Sequence, residues 1–276
     1  QRMVKLNNNG KFELNLSYFT HHIEGASMTW ENGEPVLDPV YSKTLEQELG
    51  PARKFGENIT NHHENIASSV QAMYESAFFN LLNRVYAQTK IPVLCLAGGC
   101  AMNSVANGKI FDNTPFKEVY IQPASGDAGG AVGAAYYLYN YVLNNERNFV
   151  MTNAYWGPSF SDSEIEQLIN KTIEQLGNCS IEQSLNEADL CRKVAHYIAA
   201  GNVVGWFQGR MEWGPRALGN RSILVDPRRA EMKDILNARI KRRQPFRPFA
   251  PSILIEKVGE YFEKDYPDPF MVKVYP

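Results

Sequence analysis

Arg210, Arg216 and Arg221 stand six and five residues apart in the stretch Gly209-Arg210-Met211-Glu212-Trp213-Gly214-Pro215-Arg216-Ala217-Leu218-Gly219-Asn220-Arg221-Ser222. A guanidinium is a planar fork of donors that matches the oxygens of phosphate and carboxylate, so this loop could grip a small dianion. Arg216 and Arg221, which flank Ala217-Leu218-Gly219-Asn220, are the candidate catalytic residues because both can converge on one anion. Glu212 can pair with one arginine and hold it in place, and the Ser222 hydroxyl adds a donor. The plain alternative is an Arg–Glu network that serves only the fold.

Two glycine-rich stretches follow apolar runs. In Ala97-Gly98-Gly99-Cys100-Ala101-Met102-Asn103, the paired glycines let backbone approach a ligand, and a helix start behind them would offer N–H groups to an anion. Asn103 can read a ribose or a base edge. In Ser125-Gly126-Asp127-Ala128-Gly129-Gly130-Ala131-Val132-Gly133, the glycines remove bulk where a phosphate would meet a helix terminus. Neither stretch has the dinucleotide-binding or P-loop spacing. Asp127 reads either as a helix N-cap or as a ligand to a metal that also holds phosphate. Together the two turns point to a nucleotide cleft between them. Read one at a time, each is also an ordinary strand-to-helix turn.

A further cationic stretch is Lys241-Arg242-Arg243-Gln244-Pro245-Phe246-Arg247-Pro248. Cations at a helix C-terminus complement its dipole, which accounts for Lys241 to Arg243 on structural grounds alone. Arg247 differs, because the proline after it stiffens the backbone and suits a preorganised anion contact. From 210 to 247 the chain has nine Arg and two Lys against Glu212, Asp226, Glu231 and Asp234, a local charge of +7 in a chain of net −2. A basic cluster in an otherwise acidic chain suggests one anionic ligand; a solvated basic face is the alternative.

Alternating strands and helices must hold these loops. Apolar residues recurring from Ile66 to Val85 predict a long amphipathic helix capped near Asn61. Strands are expected at 91–97, 118–121, 203–207 and 249–254, with a further one beginning at Phe12. Helices are expected near 103–111, over 128–141, from a Ser161 or Ser163 cap to 173, and over 189–200 and 229–241. Residues 31–39 read as a polar, turn-rich stretch, and 270–276 as an alternating strand. This is the pattern of an α/β architecture. The stretch 145–160 reads as a boundary, giving domains 1–150 and 151–276.

Length and composition fit globular domains: 276 residues, 44% hydrophobic and 21% charged. No apolar run reaches the length of a transmembrane helix, and Gln1-Arg2-Met3-Val4-Lys5 lacks the apolar core of a signal peptide. The four cysteines have no C-x-x-C spacing, so a disulfide framework or zinc knuckle is not expected and a cytoplasmic location fits. The acidic balance argues against nucleic-acid or membrane partners.

Four motifs taken together, Gly98-Gly99-Cys100-Ala101-Met102-Asn103, Ser125-Gly126-Asp127-Ala128-Gly129-Gly130, Gly214-Pro215-Arg216-Ala217-Leu218-Gly219-Asn220-Arg221-Ser222 and Arg247-Pro248-Phe249-Ala250-Pro251-Ser252, resemble the carbamoyltransferases of the nodulation-factor, cephamycin and tobramycin pathways. The resemblance runs in order from about residue 60 to 260. It implies the C-terminal half of an actin/hexokinase-like (Kae1-like) domain followed by a YrdC-like α/β domain that stops short of its C-terminus. It implies an enzyme that uses ATP to turn carbamoyl phosphate into carbamoyl adenylate and passes the carbamoyl group to a hydroxyl of a small-molecule acceptor.

On that resemblance Gly98, Gly99, Asn103, Gly126, Gly129 and Gly130 would hold ATP. Arg210, Arg216, Arg221, Ser222, Lys241 and Arg247 would surround carbamoyl phosphate, and Asp127 would bind a divalent metal, iron being typical. The family's histidine pair, spaced H-x-x-x-H, has no counterpart among His21, His22, His62, His63 and His196. The chain therefore reads as a piece of a longer protein, inactive by itself. A homodimer stays open, as do a tRNA threonylcarbamoylation-type role and a non-catalytic nucleotide- or phosphate-binding module.

Overall fold

The computed structural model describes residues 2–7, 9–54, 56–184 and 186–276; Gln1, at the head of the leading segment, lies outside them. The chain divides into two compact units, one of residues 1–94 with 109–119, the other of 95–108 with 120–276. Helices and strands alternate through both, as an α/β reading requires.

In the first unit, strands β1 (Val4–Leu6) and β2 (Phe12–Leu14) form an antiparallel hairpin. A short helix α1 (His21–Glu24) follows. The stretch expected to be irregular is instead a second hairpin, β3 (Met28–Glu31) with β4 (Glu34–Leu37). Its turn is Asn32-Gly33, with φ of 52° and 83°. Asn-Gly is the sequence that accepts two positive φ values most readily, so the signal was present but masked by the polar flanks.

Helix α2 (Lys43–Leu49) leads to α3 (Asn61–Thr89), the long amphipathic helix. Its cap is Thr60 rather than Asn61: the Thr60 N–H donates to His63 Nδ1 at 3.1 Å. Gly10, at φ 81°, lies so close to α3 that a Cβ there would overlap Arg84. Further along, Lys109 Nζ pairs with Glu75 at 2.7 Å, tying α3 to the start of α5 (Ile110–Asn113), while Ile110 and Phe116 fill the core.

Between these lie β5 (Val93–Leu96), which pairs with β6 (Glu118–Ile121), and α4 (Ser104–Gly108). Helix α6 (Gly129–Tyr136) continues as a wider, π-type turn over Tyr137–Val142. Ser161 caps α7 (Asp162–Lys171) through a capping box with Glu164, and Asn186 caps α8 (Glu187–Ala199) by accepting the Asp189 N–H at 2.9 Å. Strands β7 (Val204–Phe207) and β8 (Arg221–Leu224) pair antiparallel, with Trp206 opposite Ser222. The arginine-rich stretch is the loop between them. Helix α9 (Met232–Ile235) passes into a π-type turn Leu236–Ile240, and α10 (Val258–Tyr261) is the last helix.

Two expected strands are absent. Residues 249–254 run without regular pairing; Pro248 and Pro251 remove backbone donors, and the Pro248 carbonyl accepts from Arg243 Nη2. Residues 270–276 are extended only in part, because Met271 takes φ 53° and the Asp268 carboxylate accepts the Lys273 N–H at 2.8 Å. No helix among the described residues is long and apolar enough to cross a membrane.

Candidate functional site

The loop between β7 and β8 is built around one buried carboxylate. Glu212 has no exposed side-chain surface, yet its Oε1 accepts the N–H groups of Leu218 at 2.6 Å and Asn220 at 2.8 Å. Its Oε2 lies 3.3 Å from Arg221 Nε, an ion pair without hydrogen-bond alignment. Burial pushes the Glu212 pKa up, but the backbone N–H groups of Asn220, Leu218, Glu212 itself and Arg221 outweigh it and hold the carboxyl below its ordinary range. Glu212 thus stays ionised and fixes the second half of the loop as a template.

Arg221 is spent on the same template: its Nη2 donates to the Gly214 carbonyl at 2.9 Å. Arg210 is also engaged, through Nε to Gly157 O and Nη2 to Trp156 O, both at 3.0 Å. Its own carbonyl accepts Asn220 Nδ2 at 2.7 Å. The segment before α7 closes around the loop. Trp213 N donates to Ala154 O, Tyr155 Oη to Leu218 O at 3.0 Å, and Trp156 stacks on Trp213. The Ser222 hydroxyl accepts the Gly219 N–H at 3.1 Å and keeps its proton to donate.

Arg216 is different. It is half-buried, and among the described residues its guanidinium has no hydrogen-bond or ion-pair partner. The other charges of the loop, Arg210, Glu212 and Arg221, all have protein partners.

The glycine turns come to the same place. Gly98, at φ 97°, donates its N–H to the Ser125 carbonyl at 2.7 Å, so the two turns read separately in the sequence are in direct contact. A Cβ on Gly126 would lie 3.3 Å from Met102 Sδ, and one on Gly129 only 2.4 Å from Ala124 O. The arginine loop reaches this turn too: Gly214, at φ 107°, sits where a Cβ would be 3.3 Å from Ala124 Cβ and 3.4 Å from Pro123 O. Gly99 and Gly130 face open space.

Asn103 takes a local role, its Oδ1 accepting the Ala106 N–H at 3.1 Å at the head of α4. Ser125 is buried with its hydroxyl unpartnered among the described residues. Asp127 does not cap α6; Ala128 holds the cap position, and the Asp127 carboxylate is exposed. A metal would need more than that one carboxylate. Among the described residues no three His, Cys, Asp or Glu side chains come together, so these residues do not by themselves make a metal site.

Lys241 and Arg247 lie in the segment after the Leu236–Ile240 turn. The Lys241 side chain is exposed, and Arg247 Nε donates to Gln244 Oε1 at 2.8 Å. The organiser here is Asn237, which sequence reading passed over. Only 1% exposed, it donates from Nδ2 to Pro245 O and Arg247 O and accepts from Arg243 Nε. The available signal was a polar residue beside Leu236, within the apolar repeat of a helix. Nearby, hydrogen bonds from Arg228, first side-chain and then backbone, hold the Asp226 carboxyl at about 2.

Residues 2–136 match the family model Carbamoyltransferase N-terminus and residues 195–276 match Carbamoyltransferase C-terminus. The chain belongs to the carbamoyltransferase family. An uncharacterized protein of Synechocystis sp. is 43% identical over 277 residues, covering 99% of this chain and 42% of that protein. Nodulation protein NolNO of Sinorhizobium fredii is 42% identical over 230 residues, 81% of this chain and 33% of that one. The 3'-hydroxymethylcephem-O-carbamoyltransferase of Streptomyces clavuligerus is 31% identical over 179 residues, 65% of this chain and 31% of that enzyme. The chain therefore spans between about a third and two fifths of the length of these relatives.

Proposed function

We propose that the protein is an O-carbamoyltransferase, which activates carbamoyl phosphate with ATP as carbamoyl adenylate and passes the carbamoyl group to a hydroxyl of a small-molecule acceptor. The observation that carries this reading is the unpartnered Arg216 in a loop that otherwise satisfies every charge, next to the turn that opens α6. The family membership and the printed name of the cephem relative support the chemistry.

In this reading Arg216 binds a phosphate oxygen pair of carbamoyl phosphate, and the free proton of Ser222 adds a donor. Each charge-assisted bond is worth about 1.5–3 kcal/mol. Glu212 and Arg221 keep the loop in shape, and Arg210 anchors it to Trp156 and Gly157. Neutralising the phosphate charge is what allows a poor electrophile to be activated. Lys241 and Arg247, from the same basic stretch of sequence, would lengthen the anion site.

ATP would lie along the glycine turns. The entry of α6 has no capping side chain and lies beside the unpartnered Ser125 hydroxyl, an arrangement suited to a phosphate. Asp127, exposed at that entry, is the residue we assign to a divalent metal such as iron. With no group of three such side chains among the described residues, no catalytic step is routed through a metal. The division into a Kae1-like part up to about residue 150 and a YrdC-like part after it belongs to this same reading, as do a cytoplasmic location, a homodimeric assembly and an inactive isolated chain.

Isothermal titration with carbamoyl phosphate, and separately with ATP, tests the reading. Saturable binding of both supports it; binding of neither overturns it.

A further inference from the structure

Asn107 is 1% exposed and lies in α4, directly behind the first glycine turn. Its Nδ2 donates twice: to Ala101 O, inside the turn, at 2.8 Å, and to Val272 O, 165 residues away, at 2.9 Å. Both carbonyls belong to buried residues, Ala101 and Val272, where a polar atom calls for a partner. The same C-terminal segment makes a second tie, the Val274 N–H to Ser104 O at 3.0 Å. It also lies so close to α4 that a Cβ on Gly108 would fall 1.8 Å from Val274 O. The segment has a fixed shape of its own: Phe270 is buried edge-on to Tyr120, Met271 turns the chain at φ 53°, and Asp268 accepts the Lys273 N–H.

We infer that Asn107 is a positioning residue for the nucleotide site, and that it works by strapping the Gly98–Asn103 turn to the segment Phe270–Val274. The Asn107 carboxamide holds the turn at the Ala101 carbonyl, its backbone N–H donates to Asn103 O at 3.0 Å as part of the helix start, and Ala101 in turn donates its N–H to Gly98 O at 3.0 Å. Gly98 is the residue that binds Ser125. A single carboxamide thereby sets the height of the first glycine turn against the second. The segment that holds it from the far side comes from the stretch following the arginine-rich region, so the strap also ties the nucleotide turn to the half of the chain that would carry carbamoyl phosphate. No contact between Asn107 and a ligand is required. The inference rests on the proposed use of the glycine turns for ATP.

Two variants test it, each by two readouts. Asn107→Ala removes both side-chain bonds, and Val274→Pro removes the separate tie to Ser104 at a residue whose side chain is exposed. In amide hydrogen exchange on the ligand-free full chain, the Ala101 and Asn103 amides should lose protection in both variants while those of β7 and β8 keep theirs. In titration, ATP should bind about fivefold or more weakly, with carbamoyl phosphate binding unchanged. A residue serving stability alone would weaken both ligands together or neither. If Asn107→Ala fails to fold, Val274→Pro carries the test. Unchanged turn protection in the folded variants overturns the inference. Parent chain that binds no ATP counts against the proposed function instead, and the exchange readout still decides the strap.

Discussion

The Gly98 N–H donates to the Ser125 carbonyl at 2.7 Å, and this one bond makes a single place of two glycine turns that the sequence presents apart. Gly214 completes the convergence by approaching Ala124, one residue before Ser125. Three loops of different origin thus meet at the head of α6. Glycine permits this in two ways: Gly98 and Gly214 take φ of 97° and 107°, and at Gly129 and Gly214 a Cβ would press on Ala124.

That packing predicts a contrast between neighbours. Gly129→Ala puts a Cβ within 2.4 Å of Ala124 O and should cost about 1–3 kcal/mol in stability. Gly130→Ala meets nothing within 4 Å and should be neutral, or stabilise by up to about 1 kcal/mol through its helix propensity. Denaturant unfolding of the two variants checks this; equal effects would contradict the close approach of the turn.

Glu212→Gln should destabilise by about 1–3 kcal/mol at neutral pH, since it removes the charge that two short backbone bonds and Arg221 are arranged around. The pH dependence is a second signature. Glu212 has a lower pKa folded than its ordinary 4.5, so its stabilisation is complete above that value and is lost as pH falls through the lower folded one. Asp226 falls in the same acid range, from 3.8 toward about 2, and remains in the variant as an internal reference. Acid unfolding of Glu212→Gln should therefore be shallower than that of the parent but not flat.

Arg221→Lys and Arg216→Lys should part company. Lysine keeps the charge and loses the fork. At position 221 that breaks the bond to Gly214 O and misaligns the Glu212 pair, so both the melting temperature and anion binding should fall. At position 216 no protein partner is lost, so the melting temperature should hold. Thermal melts of the two variants side by side decide this.

The sequence made the scaffold legible where local signals agreed. The periodic run from Ile66 predicted α3, and 118–121 is β6 as read. The Ser161 cap holds α7. It failed where tertiary partners take over the backbone. The alternation of 270–276 suggested a strand, but its carbonyl at Val272 goes to Asn107 and its N–H at Val274 to Ser104. At 249–254 apolar residues outvoted Pro251 within the stretch and Pro248 just before it, neither of which can donate. Within the site, residue types suggested a loop suited to an anion, but not which arginine would be left without a protein partner. That depends on Glu212 and Gly214 lying where they draw Arg221 inward, and on Trp156 and Gly157 offering carbonyls to Arg210, contacts across distances no local pattern encodes.

The central claim is that Arg216 is the anchor for carbamoyl phosphate. Isothermal titration of carbamoyl phosphate into the parent and into Arg216→Lys tests it most directly. The account predicts binding at least about tenfold weaker in the variant, on the scale of 1.4 kcal/mol per decade, with ATP affinity unchanged. Equal carbamoyl phosphate affinity in parent and variant would contradict it.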